Sequence, residues 1–172
     1  EAGLGARLLA TDDEAEAAAI AQRLDVLNRE RQAVEATVLD AAAVIAADGG
    51  PDASLVLAAG DGWHPGVIGI VAGRLKDRYN RPACVVALDG ETGQGTGSGR
   101  SVSGVDLGAA IIAATQAGLL VKGGGHKMAG GFTVEIDKLP ELQAFLNERV
   151  AADVKEGGIR PSLYLDGAMK AK

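Results

Sequence analysis

The sequence holds a single cysteine, Cys84, inside the apolar run ACVVAL. No disulfide framework can therefore staple the chain, which fits a reducing compartment. Aromatic residues make up only 3%, so any core must be built from Ala, Val, Ile and Leu. No apolar run approaches membrane-spanning length, and no secretory leader is visible at the start. A membrane partner is therefore not expected. There are two histidines, His64 and His126, far apart and without a Cys or Asp cluster beside them. A complete metal site is not expected from such a set. A self-sufficient phosphodiesterase usually needs paired metals, and no Ser/His/Asp spacing suggests a hydrolase triad.

What remains is a chain of 172 residues, 47% apolar, with 25 glycines that cluster rather than scatter. The length suits one domain with a real core plus an appendage. The net charge of −6 is unevenly spread. Residues 1–48 carry ten acids against four Arg, whereas residues 62–131 carry seven Lys or Arg against four acids. Binding responds to local potential, so the second stretch is compatible with a phosphate ligand despite the acidic total. Ordinary surface scatter would give the same count. The opening EAGLGARLL reads as mid-protein, and a fragment of a cytoplasmic protein is expected.

Thr11 and Glu14 have the spacing of a capping box. Behind them a helical pattern runs to Asp48, with Ile20, Leu24, Leu27, Val34, Val38, Ala41 and Ile45 as its stripe. It stops at Gly49-Gly50-Pro51. Such a helix is about 50 Å long, too long for one small core to cover, and is expected to connect two domains. A coiled-coil dimer is the alternative. A strand is predicted over 54–59, an amphipathic helix over 67–79 and a buried strand over 83–88. Asp106 is expected to cap a helix through Gln116. A strand over 131–136 and a helix over 139–154 follow. The alternation predicts an α/β domain over 51–156: a mixed sheet flanked by helices and preceded by the long connector helix. Residues 157–172 are expected to begin another module.

Three stretches could carry chemistry. In Gly95-Thr96-Gly97-Ser98-Gly99-Arg100-Ser101, glycines would let backbone approach an anion. Ser98 and Ser101 add hydroxyls, and Arg100 adds a planar fork suited to phosphate. The stretch is neither a P-loop nor a dinucleotide fingerprint, and a flexible glycine-rich hairpin is the plain alternative. In Gly123-Gly124-Gly125-His126, a turn with free N–H groups beside an imidazole would suit a phosphate or a developing oxyanion. Trp63-His64-Pro65-Gly66 sits between a strand and a helix, where α/β proteins bind ligands. Trp63 there can stack on a base or plug the core.

These motifs, in this order, resemble one family. GWHPGVIGIVAGRLKDRYNRP, GSGRSVSGVDLGAAI and LLVKGGGHKMAGGFTVE are similar to the DHH-associated domain of RecJ exonucleases, and LDVLNRERQAVE to that family's connecting helix. The GGGH element alone would indicate only the wider DHH phosphoesterase superfamily. Gly130-Gly131 departs from the Ala-Gly often found in the family. The resemblance implies that residues 1–50 end a catalytic DHH domain and form the connector. Residues 51–156 would bind substrate, and 157–172 would start a truncated oligonucleotide-binding module. It implies a metal-dependent 5′→3′ exonuclease of DNA repair and recombination, acting on single-stranded DNA. Single-stranded-DNA-binding protein or helicase would be its protein partners. Mn²⁺ or Mg²⁺ would be held by the missing catalytic domain, with no cofactor bound by this stretch, which alone would be inactive. Ser98, Gly99, Arg100, Ser101, Gly123, Gly124, Gly125, Trp63 and His64 would contact substrate, with His126 at the reacting phosphate. The alternatives are a small-nucleotide or oligoribonucleotide phosphodiesterase or pyrophosphatase of the same superfamily, and a non-catalytic dimerising module.

Overall fold

A computed structural model describes residues 2–50 and 53–156. A short helix, α1 (Ala2–Ala10), precedes the long helix α2 (Glu14–Asp48). The cap of α2 is Asp13 rather than Thr11: the Asp13 carboxylate accepts from the N–H groups of Ala15 and Glu16. The Thr11 hydroxyl instead donates to the Glu16 carboxylate, which also pairs with Arg7 of α1. A one-carbon carboxylate reaches the first-turn amides readily, and with it in place Glu14 has no box to close. Of the predicted stripe, Ile20 and Val38 are buried. Ala42 is buried in place of Ala41, while Val34 and Ile45 stay partly exposed.

A strand, helix and parallel strand follow: β1 (Val56–Asp61), α3 (Pro65–Tyr79) and β2 (Ala83–Asp89). β1 starts two residues later than predicted. α3 ends at Asn80, whose φ of 49° lies in the left-handed region. Then come β3 (Gln94–Arg100), α4 (Leu107–Gln116), the hairpin β4 (Lys122–His126) with β5 (Ala129–Glu135), and α5 (Leu139–Glu156). The sheet order is β1-β2-β3-β5-β4. β1 and β2 are parallel and every other neighbouring pair is antiparallel. The mixed sheet with flanking helices is the predicted fold class.

The sheet separates two apolar clusters. On one face Val56, Ala58, Val85 and Ala87 meet Val67, Ile68, Val71 and Leu75 of α3 and Val38 and Ala42 of α2. On the other, Leu57, Cys84, Val86, Phe132 and Val134 meet Ile111 of α4 and Leu142 and Leu146 of α5. α2 and α3 reach only the β1–β2–β3 side of the first face. That half-covered face positions the candidate site. The module expected at 157–172 lies outside the described residues.

Candidate nucleic-acid interface

The stretch read as an anion-binding loop is the central strand. β3 pairs with β2 on one side and β5 on the other along its whole length, so its amides belong to ladders and form no free cradle. Its glycines answer to packing. A Cβ on Gly97 would lie 2.2 Å from the Phe132 ring, and one on Gly99 would lie 2.7 Å from Leu107 Cδ2. Sequence reasoning took this stretch for an anion-binding loop, with a flexible hairpin as the alternative, because its glycines and small polar residues carry no hydrophobic signal. The strict alternation of glycine with Thr96, Ser98 and Arg100 was the strand's signature.

That period of two turns Thr96, Ser98 and Arg100 to the face opposite the glycines. Register then extends the set across the sheet, because directly paired residues share a face. Arg100 pairs with Ala129 and Ala129 with His126. Ser98 pairs with Gly131 and Gly131 with Gly124. Thr96 pairs with Thr133 and Thr133 with Lys122. Three parallel rows thus run across β3, β5 and β4 on this face; α3 lies against it at β3, and the face is open over β5 and β4. Arg100 and His126 end one of the rows, about 10 Å apart at two inter-strand spacings.

Arg100 is folded over Ser98. Its Nη1 donates to Ser98 Oγ at 3.1 Å and to the Gly99 carbonyl at 2.8 Å. Gly69 of α3 presses on this pair: a Cβ there would lie 2.9 Å from Arg100 Nη2 and 3.1 Å from Ser98 Oγ. No ion pair to Arg100 occurs among the described residues, which leaves most of its guanidinium donors for a ligand.

His126 is exposed at the end of β4, in a hairpin strand rather than in a turn with free N–H groups. Its Nδ1 accepts from the Met128 N–H at 3.3 Å. An accepting Nδ1 places the neutral ring's proton on Nε2, so the imidazole offers an Nε2–H donor. The hairpin tip is tied down by its main chain. Ser101 N–H donates to the Met128 carbonyl at 2.9 Å and Leu107 N–H to the Lys127 carbonyl at 3.2 Å. Gly108 of α4 lies against the strand backbone, where a Cβ would come within 2.9 Å of the His126 carbonyl.

Other predicted contacts are absent from this face. Ser101 is buried, and its hydroxyl donates to the Val105 carbonyl at 2.9 Å, so it shapes the turn after β3. Gly99, Gly123 and Gly125 face the packed side. Trp63 is half-buried with its ring over Gly60, whose Cβ would lie 2.2 Å from Trp63 Cε2. The ring packs against the Gly60 backbone, as a plug would, and stays partly exposed. His64 caps α3, its Nδ1 accepting from the Gly66 N–H at 2.9 Å. It lines a separate hollow of about 220 Å³ with Leu27, Arg31 and Val34 of α2, and the two regions share no residue. Lys122, Thr96 and Thr133 were missed. Their signal was the same two-residue period carried across the pairing.

Fold and face define a DHHA1 domain: the family model of that description matches residues 52–152, and the chain belongs to that family. Within it the resemblance is to RecJ. The chain is 39% identical over 141 residues to the single-stranded-DNA-specific exonuclease RecJ of Bacillus subtilis, covering 82% of this chain and 18% of that protein. A crystal structure of RecJ with Mg²⁺ from Thermus thermophilus superposes with a TM-score of 0.75 at 36% identity. It covers 88% of this chain and 23% of that one. An exonuclease RecJ bound to manganese gives 0.72 at 35%, covering 91% and 38%. The chain thus spans less than two fifths of each relative's length. Both solved relatives carry a divalent metal. Among the described residues here, no group of three or more His, Cys, Asp or Glu is placed to hold one, and no helix is long and apolar enough to cross a membrane.

Proposed function

We propose that this chain is the DNA-gripping domain of a cytoplasmic, metal-dependent 5′→3′ single-stranded-DNA exonuclease of repair and recombination. The observation that supports the reading is the register: it sets Ser98, Arg100 and His126 on one face of the sheet, with Arg100 and His126 in a single row across β3, β5 and β4. Ser98 and Arg100 hold the terminal 5′ phosphate, a forked donor beside a hydroxyl being suited to a doubly charged oxyanion. His126 donates from Nε2 to a phosphoryl oxygen whose charge grows during cleavage, helping the transition state more than the ground state. Mn²⁺ or Mg²⁺ would be held by residues elsewhere in a longer protein, so the chain by itself grips and does not cut.

The test is binding of 5′-phosphorylated and 5′-hydroxyl oligothymidylate to this chain by fluorescence anisotropy at two salt concentrations. Affinity should be micromolar or weaker, fall with salt and favour the phosphorylated end. Arg100→Ala should remove that preference and lose about tenfold to a hundredfold, the worth of a charge-assisted hydrogen bond. Arg78→Ala, on the exposed side of α3, should change little. Equal effects of the two substitutions, or indifference of the wild type to the 5′ phosphate, would overturn the assignment.

A further inference from the structure

We propose that the open part of this sheet face is a subsite for the base of the 5′-terminal nucleotide, floored by Gly124 and Gly131 and edged by Lys122, Thr96 and Thr133. It rests on the reading that Arg100 with Ser98 takes the terminal phosphate and His126 the phosphate that is cut.

Those two phosphates flank one nucleoside. Arg100 and His126 end the same row, with Ala129 between them. The terminal sugar therefore crosses the sheet over Ala129, and its base has to turn along the strands. In one direction the sheet ends at the hairpin tip, which Ser101 and Leu107 tie down. The other direction leads over Gly131 and Gly124 and then to Thr133 and Lys122.

The floor in that direction is bare for no structural reason. β3, β4 and β5 hold eight glycines. At six of them an added Cβ would fall between 2.2 and 2.8 Å from a neighbouring atom. Gly124 and Gly131 are the exceptions. A Cβ on Gly124 meets nothing within 4 Å, and one on Gly131 meets only the Gly97 carbonyl at 3.7 Å. Neither has a positive φ. Glycine weakens a strand and often marks close approach by a ligand. These two pair with each other, so together they present a strip of flat peptide groups. A planar ring can lie on that strip in van der Waals contact, and a Cβ on either residue would hold it off.

The rim supplies hydrogen bonds. Lys122 is exposed and makes no ion pair among the described residues. The hydroxyls of Thr96 and Thr133 carry no hydrogen bond to a described residue. All three line an open depression of about 520 Å³ with the two glycines. Every base has a ring face and at least one acceptor on its edge. An ammonium donates to any such acceptor, and a hydroxyl donates or accepts, so the rim suits a base of any identity.

The next row favours a neutral group over another phosphate. Gln94 pairs with Asp89 on one side and Glu135 on the other, and both carboxylates are exposed. Hydrogen bonds to Asp89, chiefly from Thr92, hold its carboxyl below the usual range, so it stays charged. An anion in the depression would lie one row, about 6.8 Å, from two carboxylates. A base is not repelled by them.

The experiment titrates this chain by NMR with three thymidine dinucleotides. One is pdTpdT, one is pdTpdT whose 5′ nucleoside is an abasic tetrahydrofuran residue, and one is dTpdT without the terminal phosphate. Wild type should bind the abasic compound about fivefold to tenfold more weakly than pdTpdT, the order of one or two net hydrogen bonds. Ring currents should shift the Gly124 and Gly131 resonances with pdTpdT and leave them in place with the abasic compound. Lys122→Ala and Thr133→Val should each shrink the difference between those two ligands while keeping the preference for a terminal phosphate. Gly124→Ala with Gly131→Ala should leave Tm unchanged or raised and remove most of the base's contribution. Indifference to the missing base, with the terminal-phosphate preference intact, overturns the base subsite and leaves the proposed function standing. A base contribution that survives all three variants places the base elsewhere and overturns the subsite too. Equal binding of pdTpdT and dTpdT, with the base contribution intact, overturns the terminal-phosphate assignment alone. Absence of saturable pdTpdT binding overturns both. A marked loss of Tm in the double-alanine variant would return the two glycines to a structural role and overturn the argument from the bare floor.

Discussion

Gly69→Ala separates grip from stability, because the two should move in opposite directions. Alanine is favoured over glycine inside a helix by about 0.8–1.0 kcal/mol. In a domain of this size that raises Tm by roughly 2–4 °C. The added methyl arrives 2.9 Å from Arg100 Nη2 and 3.1 Å from Ser98 Oγ. Both are ends of side chains, so they yield and the backbone stays. Arg100 must then leave the position from which it reaches Ser98 and the Gly99 carbonyl. Displacing one charge-assisted contact costs about 1.5–3 kcal/mol of binding, so affinity for a 5′-phosphorylated oligonucleotide should fall about tenfold or more while the protein melts later. Circular dichroism melts and anisotropy on the same sample read both. Adding Gly69→Ala to Arg100→Ala should weaken binding by less than Gly69→Ala does alone, since only the Ser98 contact is left to disturb. Unchanged affinity with raised Tm would show that the guanidinium is not at the contact. A lowered Tm would show that Gly69 is required for helix–sheet packing and that the displacement argument is wrong.

Three further outcomes follow from the packing and the hairpin. His126→Ala should leave Tm nearly unchanged, since the ring is exposed and makes one 3.3 Å contact, yet lower single-turnover cleavage by a longer protein carrying the domain about 10²–10³-fold. A variant that melts early but cleaves normally in the cold would assign His126 to the fold. Gly97→Ala drives a methyl to 2.2 Å from a Phe132 ring that is 4% exposed. Urea unfolding should show a loss of about 1–3 kcal/mol, and unaltered stability would mean the sheet can bow away. Burial pushes the Cys84 thiol up to about 12, whereas an unfolded thiol titrates near 8.5. Above about pH 8.5 the unfolded chain therefore holds fewer protons than the folded one, and stability falls as pH rises towards 12. Cys84→Ala should flatten that alkaline slope, and an identical slope in the variant would place its origin elsewhere.

The long helix and the second apolar strand were legible because their signals are local. The run from Glu14 to Asp48 has a cap, a stripe and a Gly-Gly-Pro stop within its own residues, and ACVVAL is apolar throughout. The candidate residues stood out in the sequence, but the form they take did not. Ser98, Arg100 and His126 were singled out as neighbours of glycine, yet the reason for those glycines lies in other segments. Phe132 is 35 residues from Gly97, and Val86 sits on the preceding strand. Without them a glycine-rich strand looks like a loop. The same blindness hid Lys122 and the two threonines, which become a set only when β5 is inserted between β3 and β4. For Trp63 the sequence left a base stack and a core plug both open; the residue that makes room for its ring, Gly60, is three residues away and carries no side chain to announce the contact.

The clamp between the turn after β3 and the hairpin tip has a consequence for how a ligand is met. Arg100 begins a short connection whose two ends, Ser101 and Leu107, each donate a main-chain hydrogen bond to the tip that follows His126. The width of the gap between Arg100 and His126 is therefore a property of the backbone, set when the sheet forms. Nothing in it has to be ordered by a phosphate on arrival. Association on such a preformed frame loses little conformational entropy, so weak affinity here would coexist with rapid exchange. On the proposed function, a strand held at its end would be released and taken up again one nucleotide later without the domain changing shape.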